Sequence, residues 1–253
     1  MRAWGITDVG LKRRENQDTY AFEYFCIPDT VAAVVCDGMG GVRGGQLASS
    51  LAVSTFMQEL RSRASVNMTI EQVKETMIDS VARANRTIFD RARENYAYYG
   101  MGTTLVSAVV SPELAVVCNI GDSRAYHIGA HGIRRVTRDH SVVEELIESG
   151  DITREQARTH PNRNLITRAL GPDKHTDCDC FILPVVLGDS LLLCSDGLIV
   201  TVEDFEMLDI IQSEADGEAV LSELLALSRQ RGAPDNVTAV LIRNDEEVTR
   251  RDG

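Results

Sequence analysis

Four aspartates in this chain share one kind of setting, and that setting limits the folds open to it. Asp37 follows the apolar run Val34-Val35-Cys36 and precedes Gly38-Met39-Gly40-Gly41. Asp122 follows Val116-Val117-Cys118-Asn119-Ile120-Gly121, and Asp196 follows Leu191-Leu192-Leu193-Cys194-Ser195 and precedes Gly197. Asp235 lies in Gly232-Ala233-Pro234-Asp235-Asn236, just before the last apolar run. A short continuous run rich in β-branched residues reads as a strand covered on both faces, so each acid stands at a strand end. One such acid is an ordinary turn or capping residue. Four strand ends on one edge of a sheet can converge, and converging carboxylates repel unless a cation neutralises them. Oxygen donors without accompanying His or Cys suit Mg²⁺ or Mn²⁺. Spacing alone thus predicts a divalent-cation site and names no reaction.

The rest of the pattern gives the fold class. Strands are predicted at Trp4–Thr7, Tyr20–Ile27, Val31–Cys36, Thr103–Val110, Leu114–Ile120, Ser123–Ile128, Phe181–Leu183, Ser190–Cys194 and Asn236–Arg243. Helices are predicted over Gly44–Leu60 and from an N-cap at Thr69, with Gln72 as its capping-box partner, to about Glu94. Shorter ones are expected near Val142–Ser149, after Asp151, over Glu203–Gln212 and over Gly217–Arg229. Strands at both ends with helix pairs between them indicate α+β, with mostly antiparallel sheets covered by helices. No linker divides the chain, so residues 1–245 are expected to form one domain, followed by a polar tail at 246–253.

Charge and cysteine usage narrow the partners. With 26 Lys+Arg against 38 Asp+Glu the formal charge is −12, which argues against a nucleic-acid binder. A phosphorylated partner stays open, since a bound cation inverts the local field. No apolar run approaches the roughly 20 residues of a membrane span, and the N-terminus lacks the apolar core of a signal peptide. The reading is cytoplasmic. Of the six cysteines, Cys36, Cys118 and Cys194 sit inside apolar strand-like runs. Cys178 and Cys180 share one face of a strand, but a zinc knuckle needs a second such pair, so structural thiols are expected.

Arg13 lies in the polar turn running from Asp8 to Asp18. On spacing it is either a solvated charge or a planar fork for an anionic oxygen near the metals.

These segments, taken together, resemble the metal-dependent protein phosphatases of the type 2C (PPM) family, especially its compact bacterial members. The resemblance rests on Thr7-Asp8-Val9-Gly10 through Arg13 to Asn16-Gln17-Asp18, Asp37-Gly38-Met39-Gly40-Gly41, Gly102-Thr103-Thr104, Gly121-Asp122-Ser123-Arg124, Asp139-His140-Ser141, Ser195-Asp196-Gly197 and Asp235-Asn236, in the family's order. It implies a central sandwich of two facing antiparallel sheets flanked by helix pairs, with metals at one edge. Carried over, Asp37 bridges two Mn²⁺ or Mg²⁺ ions, the Gly38 carbonyl ligates the second, and Asp196 and Asp235 hold the first. Asp122, with Asp196, matches the ligands of a third, weaker metal. Asp18 orders metal-bound water, and Arg13 grips the substrate phosphate. The implied activity is hydrolysis of phosphoserine and phosphothreonine on proteins by a metal-bridging hydroxide. The implied partners are phosphorylated proteins and a membrane-anchored Ser/Thr kinase that the enzyme opposes, and a monomer is expected. The alternative is a catalytically weak phosphatase fold that binds phosphoproteins or regulates.

Two residues depart from the family pattern. Met39 stands where many eukaryotic members carry a His proposed as the acid for the leaving group, and a thioether donates no proton. Gln17 stands where Glu is common, which removes one negative charge and implies weaker metal binding. The segment 139–168 corresponds to the family's flap, where His140, His160, Arg163 and Arg168 are either steering groups for substrate or locally paired.

Overall fold

Alternate residues of the apolar runs face two different hydrophobic layers, which is why those runs are unbroken. Val31, Ala33 and Val35 point into one layer, while Ala32, Val34 and Cys36 point into another. The computed structural model describes residues 1–245; the polar tail expected at 246–253 lies outside the described residues. The elements in order are β1 (Arg2–Asp8), β2 (Asp18–Tyr24), β3 (Val31–Met39), α1 (Gly41–Arg63), α2 (Ile70–Glu94), β4 (Gly102–Thr103), β5 (Leu105–Val110), β6 (Leu114–Ile120), β7 (Arg124–Gly129) and β8 (Gly132–Arg135). They continue with α3 (Val142–Glu148), α4 (Arg154–Arg158), β9 (Asp179–Pro184), β10 (Ser190–Cys194), α5 (Asp196–Ile199), α6 (Asp204–Ser213), α7 (Gly217–Gln230) and β11 (Val237–Arg243).

Two antiparallel sheets result. One has the order β1-β11-β10-β7-β8 and the other β2-β3-β5-β6-β9, with β4 paired to the end of β3. Between them lies an apolar layer that includes Val35, Val106, Val117, Leu191, Leu193 and Val240. The outer face of the second sheet is covered by α1 and α2 through Phe56, Leu60, Met77 and Ile88. The outer face of the first is covered by α5, α6 and α7 through Leu198, Met207, Ile211 and Leu224. Burying one such side chain contributes about 1.5–3 kcal/mol, so three apolar layers hold four structural layers together. The α+β sandwich flanked by helices is as expected.

Thr69 caps α2 and forms the capping box with Gln72, and the helix ends at Glu94. The helix expected over 44–60 runs longer, over Gly41–Arg63. The single strand expected over 103–110 is broken at Thr104. There the backbone turns to bond Asp37: Thr104 N–H donates to Asp37 O at 2.9 Å, and Asp37 N–H donates to Thr104 Oγ1 at 2.9 Å. The strand expected over 20–27 ends at Tyr24, where Phe25 N–H closes a loop onto Thr30 O. The short elements β8 and α5 had no sequence counterpart, since four residues carry too little periodicity to register.

Candidate active site

Strand pairing brings the acids together. In the β2–β3 register Asp18 lies directly opposite Asp37. Asp196 follows Ser195 at the start of α5, at the end of β10, and Asp235 precedes β11, which runs beside β10. Asp122 lies in the turn between β6 and β7, and β7 is the other neighbour of β10. The strand ends of both sheets therefore meet at one rim. A cleft of 640 Å³ opens there, lined by Asp37, Asp122, Asp196, Asp235 and Arg13, together with Gly38. Asn164 and Ile166, from the 139–168 segment, form part of its wall. Every residue predicted to ligate metal reaches this cleft.

Two glycines make the approach possible. A Cβ on Gly38 would stand 2.1 Å from the Gly45 carbonyl oxygen, so only glycine lets the first turns of α1 sit against the end of β3. A Cβ on Gly197 would stand 1.9 Å from the Asn236 oxygen, so glycine after Asp196 brings that acid beside the Asp235 loop.

The carboxylates perturb one another. The Asp37 carboxyl is pushed well above the usual carboxylate range, by loss of water first and then by the charges of Asp18, Asp196, Asp122 and Asp235. Asp196 is pushed well up by the same loss of water and then by Asp122, Asp235 and Asp18. Burial raises Asp122 to about 6, helped by Asp139 and opposed by Arg124. Asp18, only 7% exposed, is also raised to about 6 by burial, although the Ser195 hydroxyl donates to its Oδ2 at 2.7 Å and holds it down. Asp18 Oδ1 and Asp196 Oδ1 are buried with no hydrogen-bond donor. Unpartnered buried oxygens among mutually repelling acids are what a divalent cation would satisfy. The lining carries neither His nor Cys, so hard ions such as Mg²⁺ or Mn²⁺ fit this donor set.

Arg13 extends from its turn to the same place. Its Nη2 donates to Asp235 Oδ2 at 2.6 Å, and the guanidinium stays half in solvent. Asp235 and its neighbour also anchor that turn. Asn236 Nδ2 donates to the carbonyls of Val9 at 2.9 Å and Glu15 at 3.0 Å, and Asn236 Oδ1 accepts from Gln17 N–H at 2.8 Å. Asn236 is thus a positioning residue whose task the sequence did not reveal. Ser195 is another: it donates to Asp18 and accepts from Thr238 N–H at 3.0 Å. The signal for both was a small polar residue fixed beside a strand-end aspartate.

The four basic groups of the 139–168 segment are not cleft residues. His140 is buried, accepts from Gly121 N–H at Nδ1 (3.1 Å), and presents Nε2 to Asp179 Oδ2 at 3.2 Å. Arg168 pairs with Asp179 at 3.1 Å. Arg163 and His160 do not line the cleft either. Local pairing is what the structure shows for His140 and Arg168. Met39 does line the cleft.

The comparisons with known proteins bear on the family and the fold. The family model described as "Protein phosphatase 2C" matches residues 12–242. The chain belongs to the protein phosphatase 2C family. It is 34% identical to the serine/threonine phosphatase stp of Listeria monocytogenes, over 100% of this chain and 99% of the relative. A crystal structure of a bacterial serine phosphatase superposes with a TM-score of 0.87 at 38% identity, covering 95% of this chain and 96% of that one. A related structure, the catalytic domain of the serine threonine protein phosphatase PstP in complex with two manganese ions, superposes with a TM-score of 0.83 at 28% identity, covering 95% and 96%. Among the described residues of this type 2C phosphatase, no helix is long and apolar enough to cross a membrane.

Proposed function

We propose that this chain hydrolyses phosphoserine and phosphothreonine monoesters in proteins, and that the acidic cleft is where it does so. The observation that carries the reading is the convergence of Asp37, Asp122, Asp196 and Asp235, from separate strand ends, on one cleft that also holds Arg13. In this reading Asp37, the Gly38 carbonyl, Asp196 and Asp235 would hold two divalent cations, and Asp122, with Asp196, would hold a third and weaker one. Mn²⁺ or Mg²⁺ suits these oxygens. When bound, such ions supply a water of lowered pKa and neutralise charge developing on the transferring phosphoryl group.

The chain's own residues do the rest. Arg13 offers a planar fork of N–H donors at the cleft mouth, able to grip two phosphate oxygens at once. Asp18, fixed through Oδ2 by the Ser195 hydroxyl, would order water held by the metals. Met39 offers no proton, so the leaving serine or threonine oxygen takes its proton from solvent. Residues 1–245 serve as one catalytic domain, working as a monomer in the cytoplasm on phosphoproteins and opposing a membrane-anchored Ser/Thr kinase.

The test is hydrolysis of a phosphothreonine peptide by wild type and Asp37→Asn, with Mn²⁺ and with chelator. Turnover should require metal and fall steeply in the variant. Turnover that persists in chelator, or in Asp37→Asn, would remove the reading.

A further inference from the structure

A second cluster of ligating side chains lies away from the acidic cleft. Cys118 on β6 and Cys180 on β9 are direct partners in the antiparallel register. Cys178 stands two residues before Cys180, on the same face. The three Sγ atoms lie within 4.8 Å of one another, and Cys178 Sγ and Cys180 Sγ are 4.0 Å apart. All three are free thiols. The sequence pattern asked for a second pair nearby along the chain; the sheet instead supplies the third thiol from the neighbouring strand.

We propose that Cys118, Cys178 and Cys180 form a binding site for one soft d¹⁰ cation, Cu⁺ or Zn²⁺. Metal–thiolate bonds run to about 2.3 Å, so three sulfurs around one ion stand about 4 Å apart. The observed separations need only small side-chain adjustments to reach that. Thiolates select soft ions over the Mg²⁺ and Mn²⁺ that suit carboxylates, so the two clusters would not compete for the same metal. No His, Asp or Glu joins the three thiols among the described residues. The ion would therefore be three-coordinate or would carry one exogenous ligand. Cys118 is fully buried, whereas Cys178 and Cys180 are partly exposed, which leaves an entry path at the edge strand.

The site's position gives it a consequence. Asp179, between the two partly exposed thiols, pairs with His140 and Arg168 at 3.2 and 3.1 Å. These two flank the segment whose Asn164 and Ile166 form part of the catalytic cleft's wall. A bound ion would staple β9 to β6 at the point where that segment rejoins the sheet.

The test uses the reduced, metal-free full chain in excess Mg²⁺. One arm adds Zn²⁺, with Co²⁺ as its spectroscopic substitute, and the other adds Cu⁺ buffered by a competing chelator. Native mass spectrometry and the sulfur-to-metal charge-transfer band are the readouts, so the outcome does not depend on phosphatase activity. One ion per chain with a charge-transfer band is expected, and the arm that binds more tightly names the ion. Cys178→Ser and Cys180→Ser should each weaken binding by more than the roughly 10–100-fold that loss of an outer partner costs, while Cys26→Ser, an exposed thiol elsewhere, should bind as wild type does. Cys118→Ala is the harsher variant because it opens the core, and the two partly exposed positions keep the test sound if it fails to fold. Absence of the sulfur band with either ion would overturn the proposal. So would an unchanged band in Cys178→Ser, or a chain that forms a Cys118–Cys180 disulfide with peroxide yet takes up no ion once reduced.

Discussion

The layer between the two sheets and the rim where their strands end are built from the same strands, yet they obey opposite rules. Inside, Val35, Leu193 and Val240 are fully covered and belong to one apolar cluster. Two residues past Val35 on β3, and three past Leu193 just beyond β10, Asp37 and Asp196 face other acids, and burial and repulsion hold them well above the usual carboxylate range. The interior supplies stability, and the rim carries strain that the interior offsets. Activity and stability should therefore separate when each region is altered alone.

The largest effect should come from Asp37→Asn, which keeps the shape and removes one charge. Turnover of a phosphopeptide should fall by about 10³-fold, at the upper end of what one electrostatic group supplies. Metal-free thermal stability should rise, because a repelling charge has gone. A variant that loses activity and stability together would break the comparison.

Leu193→Ala is the complementary change. Leu193 is fully buried between the sheets, so the truncation should cost roughly 2–5 kcal/mol in urea unfolding. Turnover per folded molecule should stay near wild type. A large fall in the turnover of folded enzyme would mean that the interior also sets the geometry of the rim.

The rim's charge state predicts an unusual pH dependence. Asp18 and Asp122 are raised to about 6 in the folded protein, against about 3.9 in an unfolded chain. Between those values the native state holds more protons than the unfolded one. Their contribution to stability is thus greatest below pH 4 and is lost as pH rises through 6. In chelator, the urea midpoint should be lower at pH 8 than at pH 5, by an amount corresponding to a few kcal/mol. Asp18→Asn should shrink the drop, and Mn²⁺ should cancel it. A midpoint that climbs toward pH 8 in chelator would show that these acids stay ionised without metal.

Arg13→Ala should matter less. Its guanidinium is half in solvent and its partner is Asp235, so folding should change by under about 1 kcal/mol. KM for a phosphopeptide should rise by roughly 10–100-fold, the loss of one charge-assisted bidentate contact. An unchanged KM would return Arg13 to the solvated charge that spacing alone allowed.

How legible each part was in the sequence follows from the range of the signal. The strands around Val31–Cys36 and Leu191–Cys194 were readable because covering on both faces forces every residue to be apolar. Helix α2 was readable because Thr69 and Gln72 declare its start. The rim was readable as a set of strand-end acids, and the resemblance supplied their roles. The tasks of Ser195 and Asn236 were not, because each depends on a partner from the far end of the chain: Ser195 on Asp18, and Asn236 on the carbonyls of Val9 and Glu15. The thiol cluster escaped for the same reason, since strand pairing, not spacing, brings Cys118 to Cys180.

The smallest effect should come from a carboxylate whose geometry is better than any at the rim. Glu203, at the start of α6, accepts two parallel bonds from Arg158 of α4, both at 2.8 Å. Both side chains are largely exposed, at 68% and 46%, so water screens the pair and ordering two long chains costs entropy. Arg158→Ala should shift the unfolding free energy by less than about 1 kcal/mol, with turnover unchanged. The rim acids lack such bonds, yet neutralising one of them should change turnover by orders of magnitude. If Arg158→Ala instead moved kcat, the tie between α4 and α6 would be controlling the segment that carries Asn164 and Ile166. The division between a working rim and a passive exterior would then have to be redrawn to include it.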